Sequence, residues 1–248
     1  MSQVVHLAYP DPRIAVIELA DREHSNQFTR ALVEGLAECV AQAQCNPDAR
    51  AVVVHGYGSI FCTGGTRDEL LGIFDGKIRF DDVPLYRLFL DCELPVISAM
   101  QGHALGGGLI LGLFADLVIL AEESLYSANF MKYGFTPGMG STLVLPEKLG
   151  PALAAEMLFT ARGYHGGELA RRGVPFPVMK RNEVTPAALR MAGELADKPL
   201  ASLKLLKRRL TESLAAKLPA AVQAELEMHK ISFAQPEIRE RIQNLFGQ

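Results

Sequence analysis

Three consecutive glycines, Gly106-Gly107-Gly108, stand where one apolar run gives way to another. The run before them, Pro95-Val96-Ile97-Ser98-Ala99-Met100, reads as a buried strand. The run after them, Leu109-Ile110-Leu111-Gly112-Leu113-Phe114-Ala115, reads as a buried helix. A residue without Cβ lets a ligand approach the backbone closely. The first N–H groups of a helix lack internal acceptors and carry partial positive charge. Such a turn suits negative charge on an oxygen atom. No Lys-Ser or Lys-Thr follows the glycines, so the turn is not a P-loop, and the dinucleotide spacing is also absent. For these glycines taken alone, tight packing is the competing explanation.

A second stretch repeats the arrangement. Phe61-Cys62-Thr63-Gly64-Gly65-Thr66 follows the apolar strand Ala51-Val52-Val53-Val54-His55-Gly56 and leads into a helical pattern. One N–H from each turn, converging on one carbonyl oxygen, would make an oxyanion hole. Cys62 lies beside this turn but has no base near it in sequence, so it reads as a packing residue.

The elements that must carry these turns alternate. Val4–Ala8 and Ile14–Leu19 read as strands around the Pro10-Asp11-Pro12 turn, and Asp21–Gln27 as a polar loop. Phe28–Cys45 has helical spacing through Leu32, Leu36, Val40 and Ala43, stopped at Asn46-Pro47-Asp48. Arg67–Phe74 reads as a helix, Asp75–Asp82 as a charged loop, and Pro84–Asp91 as a short helix. Leu117–Ala121 reads as a strand, Glu122–Lys132 is short and mixed, and Gly134–Gly140 is a glycine-rich loop. Helices are expected at Thr142–Leu149 and Ala152–Thr160, a helical turn at Glu168–Arg172 and a strand at Val174–Met179. From Glu183 the pattern is helical only, broken by Pro199 and Pro219. The reading is an α/β core over residues 1–182, with a parallel sheet and crossover helices, and an α-helical C-terminal region over 183–248. No internal repeat stands out.

The 248 residues and a hydrophobic share near half suffice for a sizeable core. A formal charge of −3 argues against nucleic-acid or membrane-surface binding. No run is long enough to span a bilayer, and the Met1 segment has neither the basic start nor the apolar stretch of a signal peptide. Cys39, Cys45, Cys62 and Cys92 show no CxxC pairing and read as reduced cysteines of a cytoplasmic protein. No metal-ligand spacing is present, and no cofactor is expected.

With the Asn26 segment, Phe61–Thr66, Pro95–Gly108, Ala115-Asp116-Leu117 and Gly134-Phe135-Thr136-Pro137-Gly138, nearly the whole chain resembles the crotonase (enoyl-CoA hydratase/isomerase) superfamily. The resemblance implies a spiral of ββα units, oxyanion donors at the N–H groups of Gly65 and Gly107, and homotrimers or hexamers of paired trimers. Hydratases of that family carry two glutamates, which would fall here at Ile110 and Phe130. Both are hydrocarbon side chains and cannot act as a general base. Asp68 or Glu69 would have to substitute.

Ala128-Asn129-Phe130-Met131-Lys132-Tyr133-Gly134 through Gly140, the Asp91-Cys92-Glu93-Leu94-Pro95 approach and Met228-His229 give a narrower similarity. Together they resemble the decarboxylating crotonase homologue of polyketide β-branching cassettes. In those cassettes an HMG-CoA-synthase-like enzyme builds the branch and a second crotonase homologue dehydrates it. The resemblance implies decarboxylation of a 3-methylglutaconyl-type thioester to a 3-methylcrotonyl-type one, on an acyl carrier protein or CoA. It implies a catalytic histidine on the C-terminal helix, here His229, which on sequence alone reads rather as a surface or helix-packing residue. It also implies a catalytic lysine after the first oxyanion turn. The ungapped count puts Arg79 there, with Lys77 two residues earlier. Ile110 and Phe130 would then be apolar walls of the substrate pocket. Two other functions stay open: an enoyl-CoA isomerase or hydratase, and a non-catalytic carrier-binding homologue.

Overall fold

The computed structural model describes residues 3–78 and 84–246. The hairpin β1 (Val5–Asp11) and β2 (Ile14–Leu19) is antiparallel, its turn fixed by the Asp11 carboxylate accepting the Arg13 N–H at 2.8 Å. Helix α1 (Arg30–Cys45) starts at Thr29, whose hydroxyl accepts the Leu32 N–H, and buries Leu32, Leu36, Cys39, Val40 and Ala43.

Three similar steps follow. β3 (Ala51–His55) and β4 (Ile60–Cys62) lead to α2 (Arg67–Phe74). A 3₁₀ turn (Pro84–Arg87) and the short α3 (Leu88–Asp91) come before β5 (Val96–Met100), β6 (His103–Leu105) and α4 (Gly107–Leu113). β7 (Leu117–Ala121) and β8 (Leu125–Ser127) lead through a 3₁₀ turn (Asn129–Lys132) to α5 (Ser141–Leu149) and α6 (Pro151–Thr160). The order then reverses: β9 (Gly163–His165), α7 (Gly166–Arg171) and β10 (Val178–Met179). Three helices close the chain, α8 (Arg181–Ala196), α9 (Leu200–Ser232) and α10 (Glu237–Leu245).

The first strand of each step joins a six-stranded sheet, β1-β2-β3-β5-β7-β10, and the second joins a four-stranded sheet, β4-β6-β8-β9. Within the large sheet β2, β3, β5, β7 and β10 are parallel. This is the ββα spiral, a repeat carried by geometry and not by similar residues. The strands of the large sheet are apolar on both faces because both are covered. Val52, Val54, Val96 and Met100 face the main core. Ala51, Val53, Ile97, Ala99 and Ile119 face α8, which lays Val184, Ala188, Ala192 and Ala196 flat on them.

Three expectations need correction. The four-stranded sheet was not foreseen, and its strand β8 lies inside the stretch read as short and mixed. Of Val174–Met179 only Val178–Met179 pairs in a sheet. The helix does not break at Pro219, because α9 runs through it. Pro219 is exposed, while Leu214, Leu218 and Val222 on either side bury a continuous face. A proline on the solvent side needs only a slight bend, which the packing on the other side outweighs. None of the cysteines is in a disulfide, and Cys45 alone of the four is exposed. Among the described residues no helix is long and apolar enough to cross a membrane.

Candidate active site

Both glycine turns sit at the end of a strand of the small sheet. Parallel pairing of β4 with β6 brings the two strand ends side by side. After β4, Thr66 and Glu69 form a reciprocal cap. The Thr66 hydroxyl accepts the Glu69 N–H at 3.1 Å, and the Glu69 carboxylate accepts the Thr66 N–H at 2.9 Å. After β6, Gly106 takes φ +52°, ψ −123°, a conformation closed to residues with a side chain. A Cβ on Gly108 would lie 2.1 Å from the Cys62 carbonyl oxygen, so the two turns touch only because it is absent.

The N–H groups of Gly65 and Gly107 have no protein acceptor among the described residues. Both residues line one cavity of about 130 Å³, with Phe130, Tyr133, Phe135 and Met139 in its walls. The structure therefore brings Gly65, Gly107 and Phe130 together around one cavity. Ile110 is different: it is fully buried on α4 and is not part of the cavity wall. Its side chain packs into the core, so its apolar character keeps a carboxylate out of the region without forming the surface a substrate would touch.

Glu69 is the sole carboxylate in that wall among the described residues, and its Oε2 is occupied by Thr66 N and Oγ1. Asp68 is not in the wall. Cys62 is fully buried, its Sγ donates to the Asn26 carbonyl at 3.0 Å, and burial pushes its thiol up to about 12. It is a packing thiol, as expected.

His229 faces a second, more open cleft of about 610 Å³, which shares the walls Ile73 and Ile78 with the first cavity. It is 6% exposed. Its Nε2 donates to the Thr136 carbonyl at 2.9 Å. Burial pushes the imidazole below its usual pKa, against the opposing pull of the Thr136 and Pro137 carbonyls. The ring meets Phe233 edge-on at 5.6 Å, and Phe233 stacks on Phe135 at 4.7 Å. Phe135 is part of the oxyanion cavity wall, so these ring contacts link the imidazole to it.

Lys77 is on the rim of that cleft. Its neighbours Gly76 and Ile78 line it, but the Lys77 side chain is 74% exposed and its Nζ pairs with Asp75 at 3.1 Å. Arg79 lies outside the described residues. A cation that the sequence reading missed is Arg239 of α10. It binds the other oxygen of Asp75 at 2.6 Å and covers the Phe74 ring at 5.6 Å. Lys77 and Arg239 together hold the Asp75 carboxyl below its usual value. Nothing in the sequence ties position 239 to position 75. Asn129 and Tyr133 also line the first cavity and were overlooked. Their signal lay in the Asn129–Gly140 string, read as a signature and not as a wall.

Comparison with known proteins shows the family. The family model described as enoyl-CoA hydratase/isomerase matches residues 11–246. The chain is 48% identical over 244 residues to the bacillaene synthase decarboxylase PksI of Bacillus subtilis (strain 168), covering 98% of each. It superposes with a TM-score of 0.98, at 47% identity and over 99% of this chain and 97% of the other, on a structure from a dehydratase/decarboxylase enzyme couple involved in polyketide beta-branching. The ECH2 decarboxylase domain of CurF from Lyngbya majuscula follows with a TM-score of 0.94 at 43% identity, over 98% of this chain and 99% of that one. A more distant relative is the carnitinyl-CoA dehydratase of Proteus mirabilis (strain HI4320), 31% identical over 86% of this chain and 83% of its own. With paired glycine turns on a ββα spiral and a match over almost its full length, the chain belongs to the enoyl-CoA hydratase/isomerase family.

Proposed function

We propose that the protein is a lyase that decarboxylates a 3-methylglutaconyl-type thioester to a 3-methylcrotonyl-type thioester in polyketide β-branching, with the acyl group on an acyl carrier protein. One observation carries this reading. Two backbone N–H groups without protein acceptors meet in a largely apolar cavity whose one carboxylate among the described residues is held through Oε2 in the Thr66 cap. Such a site can stabilise an oxyanion but lacks the pair of glutamates that the family's hydratases use on water, Ile110 and Phe130 standing at those positions. The 48% identical PksI and the CurF domain, both decarboxylases by name, support it.

The chemistry follows from the arrangement. The thioester oxygen accepts from Gly65 and Gly107. The bond between C4 and the carboxylate carbon breaks, CO2 leaves, and the electron pair spreads through C2 and C3 onto the thioester oxygen. The dienolate then takes one proton at C4. Each oxyanion donor contributes on the order of 10²–10³ in rate. We assign the proton to His229. Burial keeps it largely neutral when the site is empty. An entering substrate carboxylate raises its proton affinity, so substrate binding loads the acid. When CO2 departs the negative charge passes from the carboxylate to the dienolate, and the imidazolium gives its proton to C4, leaving His229 neutral. Lys77, on the cleft rim, is the cation assigned to the substrate carboxylate, and neighbouring Arg79 the second candidate for that role.

We further propose homotrimers, or hexamers of paired trimers. Leu205, Leu206 and Leu210 are largely exposed on α9, more apolar surface than a lone helix face ordinarily leaves in water. Sedimentation at micromolar concentration should give a species larger than the monomer.

Mass spectrometry of a 3-methylglutaconyl carrier protein before and after exposure tests the reaction. A loss equal to CO2 is expected. An unchanged mass together with water added to crotonyl-CoA would instead establish a hydratase.

A further inference from the structure

The helix that carries His229 grips the segment bearing the wall residues Phe135 and Met139 at more than one point. Glu225, His229 and Ser232 lie on one face of α9, at i, i+4 and i+7. His229 donates to the Thr136 carbonyl, and the Ser232 hydroxyl accepts the Thr136 N–H at 3.3 Å and meets its hydroxyl at 3.0 Å. Glu225 reaches the other end of the same segment. Its carboxylate accepts from Gly140 N at 2.7 Å, from Thr142 N at 2.8 Å and from Thr142 Oγ1 at 2.6 Å.

Glu225 is 1% exposed, and no cation pairs with it among the described residues. A buried carboxylate with only hydrogen bonds for compensation is unfavourable unless those bonds accomplish something specific. Here they cap a helix. The N-cap residue of α5 is Gly140, which offers no side chain to the first N–H groups. A local Ser or Asp cannot replace it. Gly140 has φ +74°, and a Cβ there would lie 2.5 Å from Leu218 Cδ1 and 3.1 Å from Phe114 Cζ. The cap therefore has to come from elsewhere, and α9 provides it from 85 residues away.

What the cap holds is next to the reaction. Met139 precedes Gly140 and has φ +63°, a strained value for a residue with a side chain. Met139 lines the oxyanion cavity, and its Sδ lies 2.8 Å from where a Gly107 Cβ would be. A fixed path thus runs from Glu225 through Gly140 and Met139 to the Gly107 turn.

We propose that Glu225 is a positioning residue for the decarboxylation, a cap lent by α9 to α5 that holds Met139 against the Gly107 turn while His229 and Ser232 hold Thr136. This inference rests on the reaction proposed above. Glu225 touches no reacting atom and acts through the segment it holds.

The test compares Glu225→Ala, Glu225→Gln and Thr142→Val with Glu227→Ala, an exposed glutamate of the same helix that pairs with Lys230. Two quantities are read well below the unfolding temperature of each variant. One is kcat and KM on 3-methylglutaconyl-pantetheine. The other is the infrared band of the ¹³C-labelled thioester carbonyl of bound 3-methylcrotonyl-pantetheine, which reports the oxyanion hydrogen bonds directly. Glu225→Ala should lower kcat roughly 10- to 100-fold with little change in KM, the scale of a small misplacement of reacting groups. Its carbonyl band should return towards the solution position. Glu225→Gln should recover part of both, because its amide oxygen can keep the Thr142 bonds while its NH2 opposes the Gly140 N–H. Thr142→Val should shift both less, and Glu227→Ala neither. Folded Glu225 variants with wild-type kcat and an unmoved band would overturn the proposal and leave Glu225 a stabilising cap only. Where Glu225→Ala does not fold, Glu225→Gln and Thr142→Val decide by the same two readings. If the band moves as expected but even the wild type releases no CO2, the positioning role stands and the decarboxylase reading falls.

Discussion

At the Gly65 and Gly107 turns the chemical groups are backbone N–H groups, placed by strand ends and helix starts that lie next to them in the chain. On the α9 face the chemical groups are side chains, and every partner they hold is more than 80 residues away. The donors of the first region carry no formal charge and need no protonation state. The second holds a buried histidine and a buried carboxylate whose ionisation is moved in opposite directions by the same burial. In the proposed mechanism the labour is divided: backbone dipoles stabilise the oxyanion at any pH, His229 supplies the proton, and Glu225 holds the segment beside the Gly107 turn.

Substitutions should separate the two regions. The largest effect is expected at Gly107→Val. A Cβ there would meet Phe28 at 2.6 Å and Met139 at 2.8 Å, so the branched side chain must displace the acyl carbonyl from its donors. Turnover should fall by about 10³-fold or more, with native circular dichroism. Retained activity would remove Gly107 from the site. His229→Ala should slow the reaction by roughly 10²-fold, within the usual range for a positioned acid. Binding of the 3-methylcrotonyl product should change little. In the wild type kcat/KM should decline as pH rises past a value below 6.5, and that limb should be missing in the variant. Full activity in His229→Ala would send the search to Tyr86, Lys132 and Lys77, whose chain neighbours Leu85, Tyr133 and Ile78 line the cavity.

Lys77→Ala should be milder. The side chain is mostly solvated and already paired with Asp75, so its grip on a substrate carboxylate is worth at most about 1 kcal/mol, near fivefold in affinity. The loss should be seen for the glutaconyl substrate and not for its decarboxylated product, by titration calorimetry.

The smallest effect is on stability, and its sign differs between the two α9 groups. Folding lowers the His229 pKa, so its contribution is present above its usual 6.5 and lost as pH falls through the folded value. Folding raises the Glu225 pKa, so its contribution is present below its usual 4.5 and lost as pH rises through the folded value. Urea unfolding across this range should show the His229→Gln profile flattened on the acid side of 6.5 and the Glu225→Gln profile flattened above 4.5. Identical profiles would mean that neither group is as desolvated as the structure has it.

The sequence reveals these two regions unequally, and the reason is physical. Three glycines between two apolar runs can be read because strand, turn and helix are all local. The small sheet cannot be read in this way, because β4, β6, β8 and β9 have three residues each, too few to display a period of two. Pro219 misleads because a local breaker is overridden by the long buried face from Leu214 to His229. Ile110 and Phe130 look equivalent as hydrocarbons at family positions, yet only Phe130 reaches the cavity. Glu225 reads as an ordinary polar position of a long helix. Its role appears only when Gly140, across the fold, is seen to lack a cap.

The central claim is that carbon–carbon cleavage leaves a dienolate on the Gly65 and Gly107 donors, which is then protonated at C4. Running the wild-type reaction on a 3-methylglutaconyl carrier protein in D2O and locating deuterium in the released acyl group by NMR tests it most directly. The expected product is a 3-methylcrotonyl group with one deuterium in the newly formed methyl group. Deuterium at C2, or a hydrated product that still holds its carboxylate, would contradict it.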